Sequence, residues 1–248
     1  MRPVIAVAVE VALSMTDLPG YDPFAIFDAE AGRLDRFFGS LEGGAWRRPS
    51  RCGGWSVRDV LAHLAGQEAY NHACLNDDLD AFFAWLRREG VAGEGFGEFN
   101  QWCVRTRRDV AVSEVLAEWR AANTVTRQRM RLLGRAGMLQ TSAGPYPAGL
   151  QALHYSSELA THADDVGVPV SPAEVGARTR WRAAFGAFAL REQDRPVTVA
   201  LTGGSVRTSY QGQDAELSEH DFVEATVCRL PDDAPVPAPL RAILCCLA

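Results

Sequence analysis

Apolar residues recur at helical spacing along most of the chain, and this limits the fold to packed helices up to about residue 192. The first helix has an apolar stripe of Phe24, Ile26, Phe27, Ala31, Leu34, Phe37 and Phe38. A second begins at Ser56, which forms a capping box with Asp59. Further helices are predicted over residues 77–88, 97–108, 113–133, 148–165 and from Ser171 onward. The spacing therefore predicts a helical bundle.

The pattern changes beyond Arg195, where β-branched residues alternate with polar ones. Short strands are predicted over residues 196–202, 206–210 and 214–217, followed by a helix over 218–230. The fold class is thus mainly α, with a small α+β domain at the C-terminus. We expect an N-terminal appendage over residues 1–20, a helical domain over 21–192 and the α+β domain over 193–248.

Charge excludes several classes of partner. The 248 residues carry a net charge of -6, whereas binding to nucleic acid or to an anionic membrane surface requires a basic face. We therefore expect no nucleic-acid and no membrane partner. The chain contains no lysine, so a lysine cannot act as a Schiff base or a general base.

The cysteines and the N-terminal segment bear on the compartment. The six cysteines (Cys52, Cys74, Cys103, Cys228, Cys245 and Cys246) have no CxxC spacing and no disulfide-scaffold density. The apolar run at the N-terminus is interrupted by Glu10, and the chain has no uninterrupted apolar span of 18 residues. We expect reduced cysteines and a cytoplasmic protein, either monomeric or homodimeric.

One predicted helix carries residues suited to metal binding. Glu158 and His162 lie one turn apart on one helix face and can offer an oxygen and a nitrogen to one ion. His63, on the flank of the apolar stripe of another helix, is a candidate third ligand. Two imidazoles and one carboxylate leave an open position on a divalent metal, as in catalytic zinc sites. Asp165 could orient His162. The spacing alone fits a solvated helix face equally well, because acid–histidine pairs are common by chance.

Other catalytic patterns find no support in the sequence. It contains no G-x-S-x-G elbow, no phosphate-binding G-x-x-x-x-G-K-[ST] loop and no H-E-x-x-H motif. Cys52 could be a reactive thiol, but a small buried cysteine is the more common situation. The tryptophans are assigned to the core.

Two segments carry a resemblance to a known family. The segment from Trp46 to Leu64, which contains Trp55-Ser-Val-Arg-Asp-Val-Leu-Ala-His63, resembles the first signature of the mycothiol-dependent maleylpyruvate isomerases, within the DinB-like superfamily. Glu158-Leu-Ala-Thr-His162-Ala-Asp-Asp165 is similar to their second signature. Both occur in the family's order, and the resemblance extends over roughly residues 22–169.

The resemblance implies a DinB-like four-helix bundle that holds a divalent metal, usually zinc, through His63, Glu158 and His162. It further implies that mycothiol or a similar thiol binds at the metal, where it is deprotonated and becomes a strong nucleophile. The thiolate would add to a small electrophilic substrate and either leave again, which is cis-trans isomerisation, or stay attached, which is S-transfer. Asp165 is expected beside the thiol site, and Arg229 is a candidate for the substrate-binding arginine of the C-terminal domain.

The sequence also departs from the family. Tyr155 stands three residues before Glu158, where isomerases of this family often carry arginine, and the C-terminal part matches only loosely. Two other functions stay open. One is hydrolysis by a metal-bound water on the same bundle. The other is a non-catalytic small-molecule binding or oligomerisation module in which His63, Glu158 and His162 are merely packed.

Overall fold

A computed structural model describes residue 18 and residues 20–91 and 96–247, which contain nine α-helices, a short 3-10 helix (Gly43–Arg47) and five strands. The helices are α1 (Pro23–Ser40), α2 (Val57–Asn76), α3 (Leu79–Arg88), α4 (Gly97–Thr106), α5 (Val112–Leu133), α6 (Ala148–Asp165), α7 (Pro172–Glu192), α8 (Glu219–Thr226) and α9 (Ala238–Leu244). Of the predicted appendage, only Leu18 and Gly20 fall within the described residues. No helix between residues 20 and 247 of this described part is long and apolar enough to cross a membrane.

Four of the helices form the predicted bundle. Helix α1 packs against α5 and α6, and α2 packs against α5. The apolar stripe of α1 faces this core, where Phe38 meets the ring of Trp119 edge-on and stacks on Trp46. Helices α3 and α4 pack on α2. The mainly α fold class with a small C-terminal α+β part is therefore confirmed.

A hairpin interrupts the helical region, where the sequence predicted only a break. Strands β1 (Met138–Thr141) and β2 (Gly144–Pro147) pair antiparallel, with Leu139 opposite Tyr146. Gly144 has a positive φ of 105° at the turn, a conformation that favours glycine. The strands escaped prediction because each has only four residues and β2 contains two prolines, which are disfavoured in strands.

The C-terminal part has three antiparallel strands in the order β3 (Thr198–Leu201), β4 (Ser205–Tyr210), β5 (Gln213–Ser218). Helices α8 and α9 pack on this sheet, and Phe222 of α8 is fully buried. Helix α9 was not predicted, because it has only seven residues in a proline-rich segment. Helix α7 contributes Phe185 to a core shared with α6 and Leu190 to the C-terminal core. The domain boundary at residue 192 stays a prediction.

The expectation that the cysteines are reduced is wrong for one pair. Cys228, just after α8, and Cys245, at the end of α9, form a disulfide. Their separation of 17 residues matches no motif, so only the packing of α8 against α9 reveals the pair. Cys52, Cys74 and Cys103 are free and buried, and Cys246 is free and half-buried.

Candidate metal centre

Helices α2 and α6 bring the three predicted ligands together. The capping box at Ser56 and Asp59 is present and sets the start of α2 two turns before His63. Helix α6 covers residues 148–165, as predicted, and places Glu158 and His162 one turn apart. His63 is 1% exposed and His162 is 6% exposed. Both histidines are therefore buried in the core of the bundle, where their ring centroids lie 4.9 Å apart.

The ligand atoms converge on one point. Glu158 Oε1 lies 3.0 Å from His63 Nε2 and 3.2 Å from His162 Nε2. The donor atoms of the three residues all lie within 4.8 Å of one another. Two imidazole nitrogens and a carboxylate oxygen are a ligand set typical of zinc with an open position. The three residues therefore fit a divalent ion. Glu158 and His162 do not lie on a solvated helix face.

The electrostatics of the three groups also suit a cation. Burial opposes charge on His162, but the carboxylates of Glu158 and Asp165 raise its pKa well above the ordinary value. Burial likewise opposes charge on Glu158, yet the histidines hold its pKa well below the ordinary value. Burial lowers the pKa of His63. A negative field thus surrounds the ring of His162, and a divalent ion would replace the proton that this field favours.

Asp165 contacts the ring nitrogen of His162 that does not face Glu158. Its Oδ2 lies 3.2 Å from His162 Nδ1 and accepts the Cys52 thiol at 3.1 Å. Its two oxygens accept from Nε and one terminal nitrogen of Arg229 at 3.0 and 3.2 Å. The Asp165 side chain is fully buried, and these donors hold its pKa well below the ordinary value despite burial. A carboxylate on the far nitrogen of a ligand histidine fixes its ring orientation.

The C-terminal domain delivers Arg229 to this carboxylate. Arg229 lies just after α8, and its backbone N–H donates to the Glu224 carbonyl at 2.7 Å. Glu224 also pairs with Arg51 from the loop before α2, and the Arg51 backbone N–H donates to the Asp165 carbonyl at 3.0 Å. Arg229, the predicted substrate-binding residue, therefore binds Asp165, and 24% of its side chain is exposed.

Other histidines and aromatic residues do not join the ligands. His154, one turn before Glu158, instead lies 2.8 Å from a Glu192 oxygen, beside the Tyr146 hydroxyl. The ring of Trp55 packs against that of His63 at 5.2 Å between centroids, which holds the ligand in place.

Cys52 lies beside the candidate metal centre, which the sequence did not predict. It is buried, as is common for a small cysteine, and its sulfur lies 3.6 Å from His162 Nδ1. Cys52, His162 and Asp165 form a second group whose atoms could hold a metal. The sequence signal that could have found it is its position four residues before the Ser56 cap, at the entry to the ligand-bearing helix.

Two imidazoles and a carboxylate on facing helices define a helical-bundle protein with a candidate metal centre. The family model described as the mycothiol maleylpyruvate isomerase N-terminal domain matches residues 27–167, more than half of the chain. The chain belongs to this family.

The solved structures support the same fold. A crystal structure of a mutant of the mycothiol-dependent maleylpyruvate isomerase is similar to this chain, with a TM-score of 0.51 and 15% sequence identity. The alignment covers 71% of this chain and 72% of the other. Among the curated proteins, no sequence matches the chain.

Proposed function

We propose that the protein is a mycothiol-dependent enzyme that needs a divalent metal, with zinc the expected ion, bound by His63, Glu158 and His162. The observation that carries the proposal is the convergence of their three ligand atoms within 4.8 Å. Family membership supports the thiol and the enzymatic role. The substrate is a small electrophile, and the reaction is cis-trans isomerisation or S-transfer.

The protein's own groups prepare the site for this chemistry. A bound divalent metal would lower the pKa of a coordinated thiol so that the thiolate is present at neutral pH. Asp165 keeps Nδ1 of His162 engaged, so the nitrogen that would bind the metal is Nε2, which faces Glu158 Oε1 at 3.2 Å. Arg229 donates to both oxygens of Asp165, to the Val227 carbonyl at 3.4 Å and to the Cys52 sulfur at 3.7 Å, which leaves one of its five N–H groups. We assign this remaining donor to an anionic part of the electrophile.

Metal content tests the proposal. We expect about one zinc per chain by elemental mass spectrometry, lost in His63→Ala and retained in His154→Ala. The second variant is a matched control, because His154 pairs with Glu192 and lies outside the ligand set. Equal zinc content in both variants, or no zinc in wild type after reconstitution, would refute the ligand assignment.

Turnover with and without thiol separates the proposed reaction from the alternatives. Activity that persists without thiol would indicate hydrolysis by a metal-bound water. A zinc-free protein that still binds small molecules would indicate the non-catalytic binding module. We also propose a cytoplasmic location and a monomeric or homodimeric state. Mass determination in solution tests the oligomeric state.

A further inference from the structure

A disulfide lies directly beside the arginine that contacts the candidate metal centre. Cys228, which pairs with Cys245, is the residue immediately before Arg229. The Arg229 guanidinium donates to both oxygens of Asp165, and Asp165 in turn contacts the proposed ligand His162. A covalent bond in the C-terminal domain is therefore one residue away from a side chain that reaches the centre.

The turn that carries Arg229 closes the end of α8. The backbone N–H of Arg229 donates to the Glu224 carbonyl at 2.7 Å. That of Cys228 donates to the Ala225 carbonyl at 3.2 Å, and the two bonds together form a Schellman motif. Cys228 has a φ of 58° there, in the left-handed region where glycine is the usual residue. The turn therefore holds a cysteine in a conformation that its backbone disfavours.

The disulfide anchors this turn to a packed helix. Cys245 follows α9, whose Leu240 and Leu244 are fully buried in the C-terminal core. Once the disulfide is opened, the apolar contacts keep α9 in place, but the turn loses its covalent anchor. Hydrogen bonds then retain the turn, including the one from Arg51 to the Arg229 carbonyl at 3.2 Å. The expected consequence is local opening of the turn rather than unfolding of the domain.

The disulfide is accessible to thiols from outside the chain. Both of its cysteines are partly exposed. In the cytoplasm, where we place the protein, thiols are kept reduced, and the disulfides that occur there are usually catalytic or redox-sensing. The neighbouring Cys246 is a poor internal reductant, because burial raises its pKa to about 12 and the attacking species is a thiolate. Opening of the disulfide therefore depends on external thiols.

We propose that the Cys228–Cys245 disulfide is a redox switch that a low-molecular-weight thiol opens, and that its opening releases Arg229 from Asp165. One thiolate attacks a disulfide sulfur, forms a mixed disulfide and displaces the other cysteine as a thiolate, which takes up a proton. A second thiolate attacks the mixed disulfide, frees the second cysteine and leaves as the oxidised thiol dimer. Two electrons thus pass from two thiols to the chain, and the oxidised dimer reverses the reaction.

The switch controls how well the site holds an anionic electrophile. This consequence rests on the proposed function, which assigns a donor of Arg229 to the electrophile. With the disulfide closed, Arg229 is fixed beside the centre. With the disulfide open, the guanidinium is free to leave Asp165, and the anion loses a donor that was already in position. The closed form is therefore the form that binds the electrophile better.

Solvent exchange of the Arg229 Nε–H, followed by NMR on the full chain, tests the release directly, because this proton is bound to Asp165. The Nε–H of Arg178, bound to the buried Glu30 carboxylate at 3.0 Å, is an internal control within the bundle. Substituting each arginine by lysine assigns its signal. In a large excess of reduced over oxidised glutathione, we expect the disulfide to open, as counted by alkylation and mass spectrometry. The Arg229 signal should then exchange about tenfold faster and the Arg178 signal at an unchanged rate.

Two serine variants assign the effect to the disulfide. Cys245→Ser leaves the sequence of the turn intact and should show the fast exchange with or without glutathione. The measurement without glutathione separates opening of the disulfide from binding of a thiol at the metal. Cys246→Ser keeps the disulfide and should respond to glutathione as wild type does.

Three results would overturn the inference: a disulfide that stays closed in reduced glutathione, an Arg229 exchange rate that does not change when the disulfide opens, or equal acceleration at Arg229 and Arg178. Thiol-dependent turnover is measured separately. A chain that releases Arg229 on reduction but has no thiol-dependent activity would refute the proposed function and leave the switch standing.

Discussion

Substituting Asp165 by asparagine tests whether one carboxylate couples the C-terminal domain to the proposed metal ligands. Asp165→Asn keeps the shape but removes the charge that Arg229 and His162 share. Removing one partner of a buried ion pair costs about 3–5 kcal/mol. Because Arg229 is partly exposed and asparagine still offers one acceptor oxygen, we expect a loss of about 2–3 kcal/mol.

For a chain of this length that loss corresponds to a fall in Tm of about 4–12 °C, measurable by circular dichroism. Zinc affinity should fall about 10–100-fold, because the ligand histidine loses the carboxylate that orients it. The matched control is Asp164→Asn, whose carboxylate pairs with Arg178 and Arg182 rather than with a ligand. It should lower Tm without lowering zinc affinity.

The contribution of Asp165 to stability depends on pH in a definite direction. The pKa of Asp165 is held below its ordinary value, so its contribution to stability is present above an unfolded-state pKa of about 3.9 and disappears as the pH falls below it. The Tm difference between wild type and Asp165→Asn should be full at pH 7 and narrow in acid. A difference under about 2 °C at pH 7 with unchanged zinc affinity, or one that widens in acid, would refute the coupling.

Three further predictions concern packing, the disulfide and metal release. Gly66→Ala would place a Cβ 2.5 Å from Cys103 and should lower the free energy of unfolding in urea by about 1–3 kcal/mol. Gly32→Ala, whose Cβ would have its nearest atom at 3.4 Å, should stabilise α1 by about 0.5–1 kcal/mol. Equal effects of the two substitutions would contradict the packing around Gly66. Cys228→Ser, which opens a link across 17 residues, should cost about 3 kcal/mol, and dithiothreitol should lower the Tm of wild type but not of the variant. Acidification from pH 7 to 5 should release zinc to a colorimetric chelator, because both ligand histidines must be deprotonated to bind; zinc retained at pH 5 would contradict the ligand set.

The helices were predictable because their signals are local. The apolar stripe of α1 and the capping box of α2 each lie within one element, so their spacing in the sequence is their spacing in the structure. The same holds for Glu158 and His162. At Ser171, however, the hydroxyl donates to the Glu174 side chain instead of capping a backbone N–H. The start of α7, directly after Ser171, was nevertheless predicted correctly.

The parts of the site that escaped prediction depend on contacts between elements. His63 was a candidate third ligand because it lies on the flank of the apolar stripe of its helix, and the family resemblance then supported that assignment. Cys52 and Asp165 are 113 residues apart, and Glu68 meets Asn123 across 55 residues. No periodicity reports such pairs, since they exist only once α2, α5 and α6 have packed.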